Sequence, residues 1–159
     1  MKKIALIMSA CFLISGFAFN QDYKTGLGAR LGYLTDYGSA AFNVKHFFNE
    51  RSAIDGSIGG GNNHVWVMGL YEINNQFATG WNWYYGIGGD IGVWGRHRYY
   101  YRDRYYDGAF GGVDGVIGVE YTFEKIPLNL FADAIPSVRL FPYVGFGFGG
   151  NIGVRFAIK

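Results

Sequence analysis

The sixteen residues that precede the final lysine constrain the fold of this chain more than any other stretch. From Tyr143 to Ile158 the even positions read Val144, Phe146, Phe148, Gly150, Ile152, Val154, Phe156 and Ile158, and the odd positions read Tyr143, Gly145, Gly147, Gly149, Asn151, Gly153, Arg155 and Ala157. Successive side chains of a strand point to opposite faces, so this segment has one apolar face and one made of glycine, amide and guanidinium. The outer face of a soluble sandwich strand is normally covered in Lys, Glu and Thr, whereas here the second face is mostly glycine. A barrel closed in lipid accounts for both faces, with acyl chains outside and small or polar groups inside, where eight strands leave little room.

The same segregation recurs along the chain. Thr25 to Leu34 sets Leu27, Ala29, Leu31 and Tyr33 against Gly26, Gly28, Arg30 and Gly32. A second strand sets Ala40, Phe42, Val44 and Phe48 against Ala41, Asn43 and Lys45, and a third, Ala53 to Gly60, separates Ile54 and Ile58 from Asp55 and Ser57. His64 to Ile73 forms the fourth, and alternation alone leaves its faces open; Glu72 would turn the Trp66 parity inward. The fifth sets Trp81, Trp83, Tyr85, Ile87, Ile91 and Val93 against Asn82, Tyr84, Gly86, Gly88, Asp90 and Gly92. The sixth sets Val113, Ile117, Val119, Tyr121 and Phe123 against Gly112, Asp114, Gly118, Glu120 and Thr122. The seventh sets Leu128, Leu130, Ala132, Ala134 and Val138 against Asn129, Asp133, Ser137 and Arg139. With the closing strand these make an all-β, eight-stranded antiparallel up-and-down transmembrane β-barrel, and no stretch carries the 3.6-residue period of an amphipathic helix.

With both ends of the chain on the periplasmic side, the expected outer loops are Thr35–Gly38, Gly60–Asn63 and, longest, Arg96–Gly108. Glu124–Lys125 is expected as a two-residue turn on the inner side.

The N-terminus supplies a route to a membrane. Lys2 and Lys3 precede an apolar run from Ile4 to Ile14, and Gly16 and Ala18 place small residues at the −3 and −1 positions of a cleavage site, so residues 1–18 read as a secretory signal peptide and residues 19–159 as the barrel. The run falls short of the ~20 residues of a spanning helix. Cys11 would be the modified residue of a lipoprotein, but the apolar region continues past it through Phe12, Leu13 and Ile14. Cys11 is the sole cysteine, so a chain cleaved after Ala18 has no disulfide, thiolate metal site or cysteine nucleophile. The formal charge of +2 gives no electrostatic footprint for nucleic acid. The 26 glycines are well above the usual ~7% share and, mixed with aromatic residues, suit a tight lumen and interfacial girdles.

Two runs carry a resemblance. Asp114-Gly-Val-Ile-Gly-Val-Glu-Tyr-Thr-Phe-Glu-Lys-Ile-Pro-Leu-Asn-Leu130 resembles the penultimate hairpin of small, mostly uncharacterised outer-membrane β-barrel proteins of Gram-negative bacteria. Val44-Lys-His-Phe-Phe-Asn-Glu-Arg-Ser-Ala-Ile-Asp55 resembles the same group. The wider architecture is similar to barrels of the OmpA/OmpX type. The resemblance implies residence in the outer membrane among lipid and lipopolysaccharide, after insertion by the barrel assembly machinery.

Two groups of residues could carry function. The inward parity collects Arg30, Lys45, Arg139 and Arg155 with Asp55, Asp90, Asp114, Glu120 and Asp133, a near-balanced set suited to a lumen charge network. A proton or ion path is the competing reading of those charges. The second group is the basic, aromatic stretch outside the cell, with Arg96, Arg98, Tyr99, Tyr100, Tyr101, Arg102, Arg104, Tyr105 and Tyr106 as candidate ligand-binding residues. Arginine forks match phosphate and tyrosines offer stacking faces, so lipopolysaccharide or an extracellular anionic partner fits this loop.

Catalytic chemistry has little foothold. His46, His64 and His97 lie on different strands or loops, Ser39, Ser52 and Ser57 stand at no triad-like spacing, and the histidines have no zinc-site spacing. Gly145, Gly147 and Gly150 satisfy G-x-G-x-x-G formally, but no helix follows to complete a phosphate cradle. The expected role is therefore structural or surface-interacting, without enzyme activity, cofactor, metal or wide pore. A narrow porin-like diffusion channel and a lipid A-modifying enzyme are the alternatives.

Overall fold

Eight antiparallel strands hydrogen-bond each to the next in chain order, and the first closes on the last. They are β1 (Thr25–Leu34), β2 (Tyr37–Phe47), β3 (Ser52–Gly61), β4 (His64–Ala78), β5 (Trp81–Tyr101), β6 (Arg104–Thr122), β7 (Leu128–Phe141) and β8 (Gly145–Ile158). The computed structural model describes residues 23–34, 37–61, 63–101 and 104–158, with backbone alone at 34, 37, 96–101 and 104–107. The stretch read as a signal peptide lies outside the described residues.

Closure follows from register. Thr25 pairs with Ile158 and Leu34 with Gly149, so the strand with the clearest parity lies beside the one that repeats it. The same pairing puts the start of β1 and the end of β8 on one rim, together with the turns at 48–51, 79–80 and 123–127. Gly80 of the β4–β5 turn has φ +74°, a left-handed conformation that glycine adopts without a Cβ clash, and its carbonyl accepts a 2.8 Å bond from the Thr122 amide.

Several expected boundaries move. The β6–β7 connection is Phe123 to Pro127 in place of a two-residue turn, because the Phe123 amide donates to the Leu128 carbonyl and the Leu128 amide to that of Ile126. The stretch expected as a loop from Arg96 to Gly108 is instead a continuation of the β5–β6 ladder, with Tyr99, Tyr100 and Tyr101 paired to Tyr106, Tyr105 and Arg104. β-Branched and aromatic residues favour extended backbone, and a run of tyrosines sustains a ribbon as readily as it decorates a loop. The register shifts between Trp94 and Tyr99, beside Gly108 at φ +92°, where the ribbon leaves the barrel.

Alternation fixes what faces inward. On β4, Trp66, Met68, Leu70 and Glu72 are buried while Val65, Val67 and Tyr71 are exposed, so the Trp66 parity lines the lumen. Outside, Leu31, Phe42, Ile58, Ile87, Ile117, Phe148 and Ile152 are all more than half exposed, so the wall is apolar around its circumference.

Strand coiling is severe enough to demand glycine at particular inward sites. A Cβ on Gly28 would fall 1.9 Å from the Val154 carbonyl oxygen, and one on Gly88 would fall 1.9 Å from that of Gly69. Outward-facing Gly69 itself has nothing within 4 Å.

Candidate functional site: the charged lumen

The half of the lumen nearer the chain ends is filled by a connected set of ions. Arg155 on β8 is fully buried, and its Nη2 donates to Asp55 Oδ2 of β3 at 2.6 Å, across the barrel. Its Nη1 donates to Glu120 Oε2 of β6 at 3.3 Å and its Nε to Asn43 Oδ1 of β2. The guanidinium lies 3.6 Å over the Phe131 ring, so one of its faces meets a π-system. Asn43 in turn donates to Asp55 Oδ1 at 2.7 Å and to Ser57 Oγ at 3.0 Å, which occupies the carboxylate oxygen that Arg155 leaves open.

Lys45 closes the other side. Its ammonium sits 2.9 Å from Glu72 Oε2 and 3.0 Å from Glu120 Oε2, and it donates to Asn74 Oδ1 at 2.7 Å. Tyr84 presents its ring 4.3 Å below that ammonium and its hydroxyl 3.1 Å from Asp133 Oδ2. Arg30 bridges Asp55 and Asp133 at 3.3 and 3.2 Å, and Asn151 donates to the second Asp133 oxygen at 2.8 Å. Charges this deeply buried persist only when paired and hydrogen-bonded, and here bases from β1, β2 and β8 meet acids from β3, β4, β6 and β7.

A plug closes this end. Tyr23, just before β1, is buried with its ring edge-on to Phe47 at 5.2 Å and its hydroxyl donating to Glu120 Oε2 at 3.1 Å. Main-chain bonds hold the segment in place, from the Lys24 amide to the Ile158 carbonyl and from the Phe47 amide to the Lys24 carbonyl, both 2.9 Å.

The far half is different in character. Ala41, Trp66, Met68, Leu70, Phe110, Val116 and Ile135 fill it with apolar bulk, and Trp94 packs on Phe110 at 4.6 Å. Within it Arg139 donates to Asp90 Oδ2 at 3.1 Å and covers the Phe110 ring at 4.7 Å. Asp114 is fully buried nearby, and neither of its oxygens has a hydrogen-bond partner.

No protein-family model matches the chain, and no curated protein matches it in sequence. Among solved structures it is similar to the N-terminal β-barrel domain of OprF from Pseudomonas aeruginosa, with a TM-score of 0.67 at 12% identity, over 83% of this chain and 95% of that one. In fold, this chain matches the OprF barrel. Because the OprF match covers almost that whole domain, it takes in the barrel as a unit rather than one shared hairpin.

Of the residues singled out from sequence, Arg30, Lys45, Asp55, Asp90, Asp114, Glu120, Asp133, Arg139 and Arg155 all lie buried on the lumen side, and Glu72 joins them. Among the described residues, Asp114 alone of these makes no ion pair or hydrogen bond. Tyr23, Phe110 and Phe131 escaped the sequence reading, although Phe110 and Phe131 share the inward parity of Gly112 and Asp133. Tyr23 precedes any alternation and left no signal. The side chains of Arg96, Arg98, Tyr99, Tyr100, Tyr101, Arg104, Tyr105 and Tyr106, and the whole of Arg102, lie outside the described residues.

His46 and His64 stay apart. His46 Nδ1 is bonded to Thr25 Oγ1 at 2.9 Å, and the His64 ring lies 5.5 Å from that of Trp94. Ser52 Oγ accepts from the Tyr71 hydroxyl at 3.0 Å and Ser57 Oγ from Asn43, so neither hydroxyl is paired with a histidine base.

Proposed function

We propose that this protein is an integral outer-membrane barrel of a Gram-negative bacterium, exported with residues 1–18 as its signal peptide and folded by the barrel assembly machinery. The observation that carries the reading is the exposed apolar wall, with Ile58 of β3 54%, Ile87 of β5 62% and Ile152 of β8 65% accessible, on strands spread around the barrel. Soluble proteins rarely expose contiguous apolar surface beyond a few hundred Å². Lipid on the outside removes that cost, and closure leaves no unpaired strand edge in the bilayer.

The proposed role is structural and surface-interacting rather than catalytic. Tyr23, the Arg155–Asp55–Arg30–Asp133 chain and the Phe110–Trp66 packing occupy successive levels of the lumen, which supports a plugged interior over a wide pore. A narrow diffusion channel is the competing outcome, and conductance of the purified protein in a planar bilayer separates them: a large steady conductance would refute the plugged reading.

The interaction element is the β5–β6 ribbon, which continues past the barrel wall on the rim opposite the chain ends. Its four arginines, Arg96, Arg98, Arg102 and Arg104, are proposed to engage lipopolysaccharide phosphates or an anionic extracellular partner, with the tyrosines setting the depth of the ribbon at the membrane surface. Changing all four to Gln is expected to leave assembly intact and weaken lipopolysaccharide binding in a salt-dependent manner, because screening cuts the range of such contacts to ~8 Å near physiological ionic strength. Binding equal to that of the parent at low salt would remove the ribbon from the proposal.

A further inference from the structure

We propose that the far half of the lumen holds a small monovalent cation, of the sodium or potassium class, on Asp114 with Asp90 and Ser137. The inference starts from charge. Among the described residues the lumen contains six buried carboxylates, Asp55, Glu72, Asp90, Asp114, Glu120 and Asp133, against four buried bases, Arg30, Lys45, Arg139 and Arg155. The two halves divide that excess evenly, because three bases face four acids near the chain ends and Arg139 faces Asp90 and Asp114 beyond them.

In the far half the surplus is localised on one side chain. Arg139 commits Nη1 to Asp90 Oδ2, and Asp114 is left fully buried with both oxygens unpartnered. A carboxylate without donors or a counterion is costly in a low-dielectric interior, and within a membrane span such a residue points to a bound ion or proton. Register supplies further oxygen atoms. Ser137 on β7 is the direct partner of Asp114 on β6, and its buried hydroxyl is not spent on Asp114. Asp90 pairs with Gly112, two residues from Asp114, which places it on the diagonal at a Cα separation of ~7–8 Å. Gly88 and Gly112, the direct cross-strand partners of Asp114 and Asp90, put no side chain between the two carboxylates.

Carboxylate and hydroxyl oxygens are hard ligands suited to alkali and alkaline-earth ions rather than to soft metals. Charge selects between those two classes. Asp114, Asp90 and Arg139 sum to one negative charge, which a monovalent ion neutralises and a divalent ion would overshoot. The side chains of Arg139 and Asp90 are 8% and 2% exposed, whereas those of the ions near the chain ends are at most 1% exposed, so the far mouth is the route of entry.

The test uses the purified full barrel in detergent micelles, melted in chloride salts of sodium, potassium, calcium and N-methylglucamine at matched ionic strength. Sodium or potassium should raise the Tm saturably above the value in N-methylglucamine, whose cation is too large for the lumen. Asp114→Asn, which keeps the shape and removes the charge, should abolish that ion-specific increment and bring the melt in N-methylglucamine up towards it. Identical wild-type melts in all four salts would overturn the proposal, as would an increment that survives in Asp114→Asn. A response to calcium alone would overturn the monovalent assignment. Should the variant fail to fold, rubidium-soaked crystals of the wild type decide: an anomalous peak against Asp114 supports the site, and its absence refutes it.

Discussion

Arg155 and Asp55 meet across the lumen at 2.6 Å although 100 residues separate them in the chain. Neither is reachable by water, and each also holds a second member of the network, Glu120 for Arg155 and Arg30 for Asp55. Replacing Arg155 by Leu leaves Asp55 and Glu120 each short of one cation inside a closed barrel. Breaking a buried pair by removing one partner costs about 3–5 kcal/mol. Urea unfolding of the Arg155→Leu barrel in micelles should show a loss of that size, and an unchanged midpoint would mean that the network carries no stability.

Tyr23 offers a graded test of the plug. Tyr23→Phe keeps the packing on Phe47 and removes only the hydroxyl that donates to Glu120, whose Oε2 still accepts from Lys45 and Arg155. A bond to a charged acceptor contributes about 1.5–3 kcal/mol, and the two remaining donors place this one at the lower end. Tyr23→Ala also empties the space beside Phe47 and should cost about 3–5 kcal/mol, as large aromatic truncations do. Equal stability of the two variants would show that the ring does not seal the barrel.

The outer wall can be probed with one charge. Ile87 lies mid-strand between Tyr71 and Gly115 and is 62% exposed. Ile87→Arg should destabilise the barrel in lipid vesicles by about 2–4 kcal/mol, the midplane cost for a basic residue on a transmembrane barrel, while Ile126→Lys in the β6–β7 connection should be nearly neutral. A neutral Ile87→Arg would place that face in water and defeat the membrane reading.

Gly88 and Gly69 are cross-strand neighbours one residue out of step and so point to opposite faces. A Cβ at 88 would meet the Gly69 carbonyl oxygen at 1.9 Å, whereas one at 69 meets nothing. Gly88→Ala is expected to slow or block folding at a cost on the order of 3 kcal/mol, the upper range for overpacking, and Gly69→Ala to be tolerated. Heat-modifiable gel migration of the two variants provides the comparison, and equal folding of both would show that inward glycines are not sterically required.

The strand count, the antiparallel order and the division into an apolar wall and a polar lumen were all legible in the sequence. Each rests on a two-residue period that every strand but β4 carries by itself, as β8 does in setting Phe146, Phe148 and Ile152 against Gly147, Gly149 and Asn151. The same parity picked out the lumen ions before any pairing was known. It could not assign β4, where Trp66, Met68 and Leu70 oppose equally apolar neighbours, since hydrophobicity does not distinguish a lipid face from a packed lumen. Nor could it distinguish a ribbon from a loop between Gly95 and Gly108, because a tyrosine-rich stretch suits both.

Only the closed barrel decided which acid meets which base. Partners such as Arg155 with Asp55, or Arg30 with Asp133, lie on strands that are not neighbours in the sheet and approach one another solely because the wall curves round until its faces look inward at a short distance. Closure also turned Tyr23 from an unpatterned residue into a plug, since the last strand pairs with the first and holds Lys24, and with it Tyr23, at the rim. It likewise left Asp114 without a donor, a fact set by which side chains happen to reach across the lumen at that level. Alternation is a local property of extended backbone and can be read one strand at a time, whereas contact across a lumen depends on register, tilt and curvature summed over all eight strands.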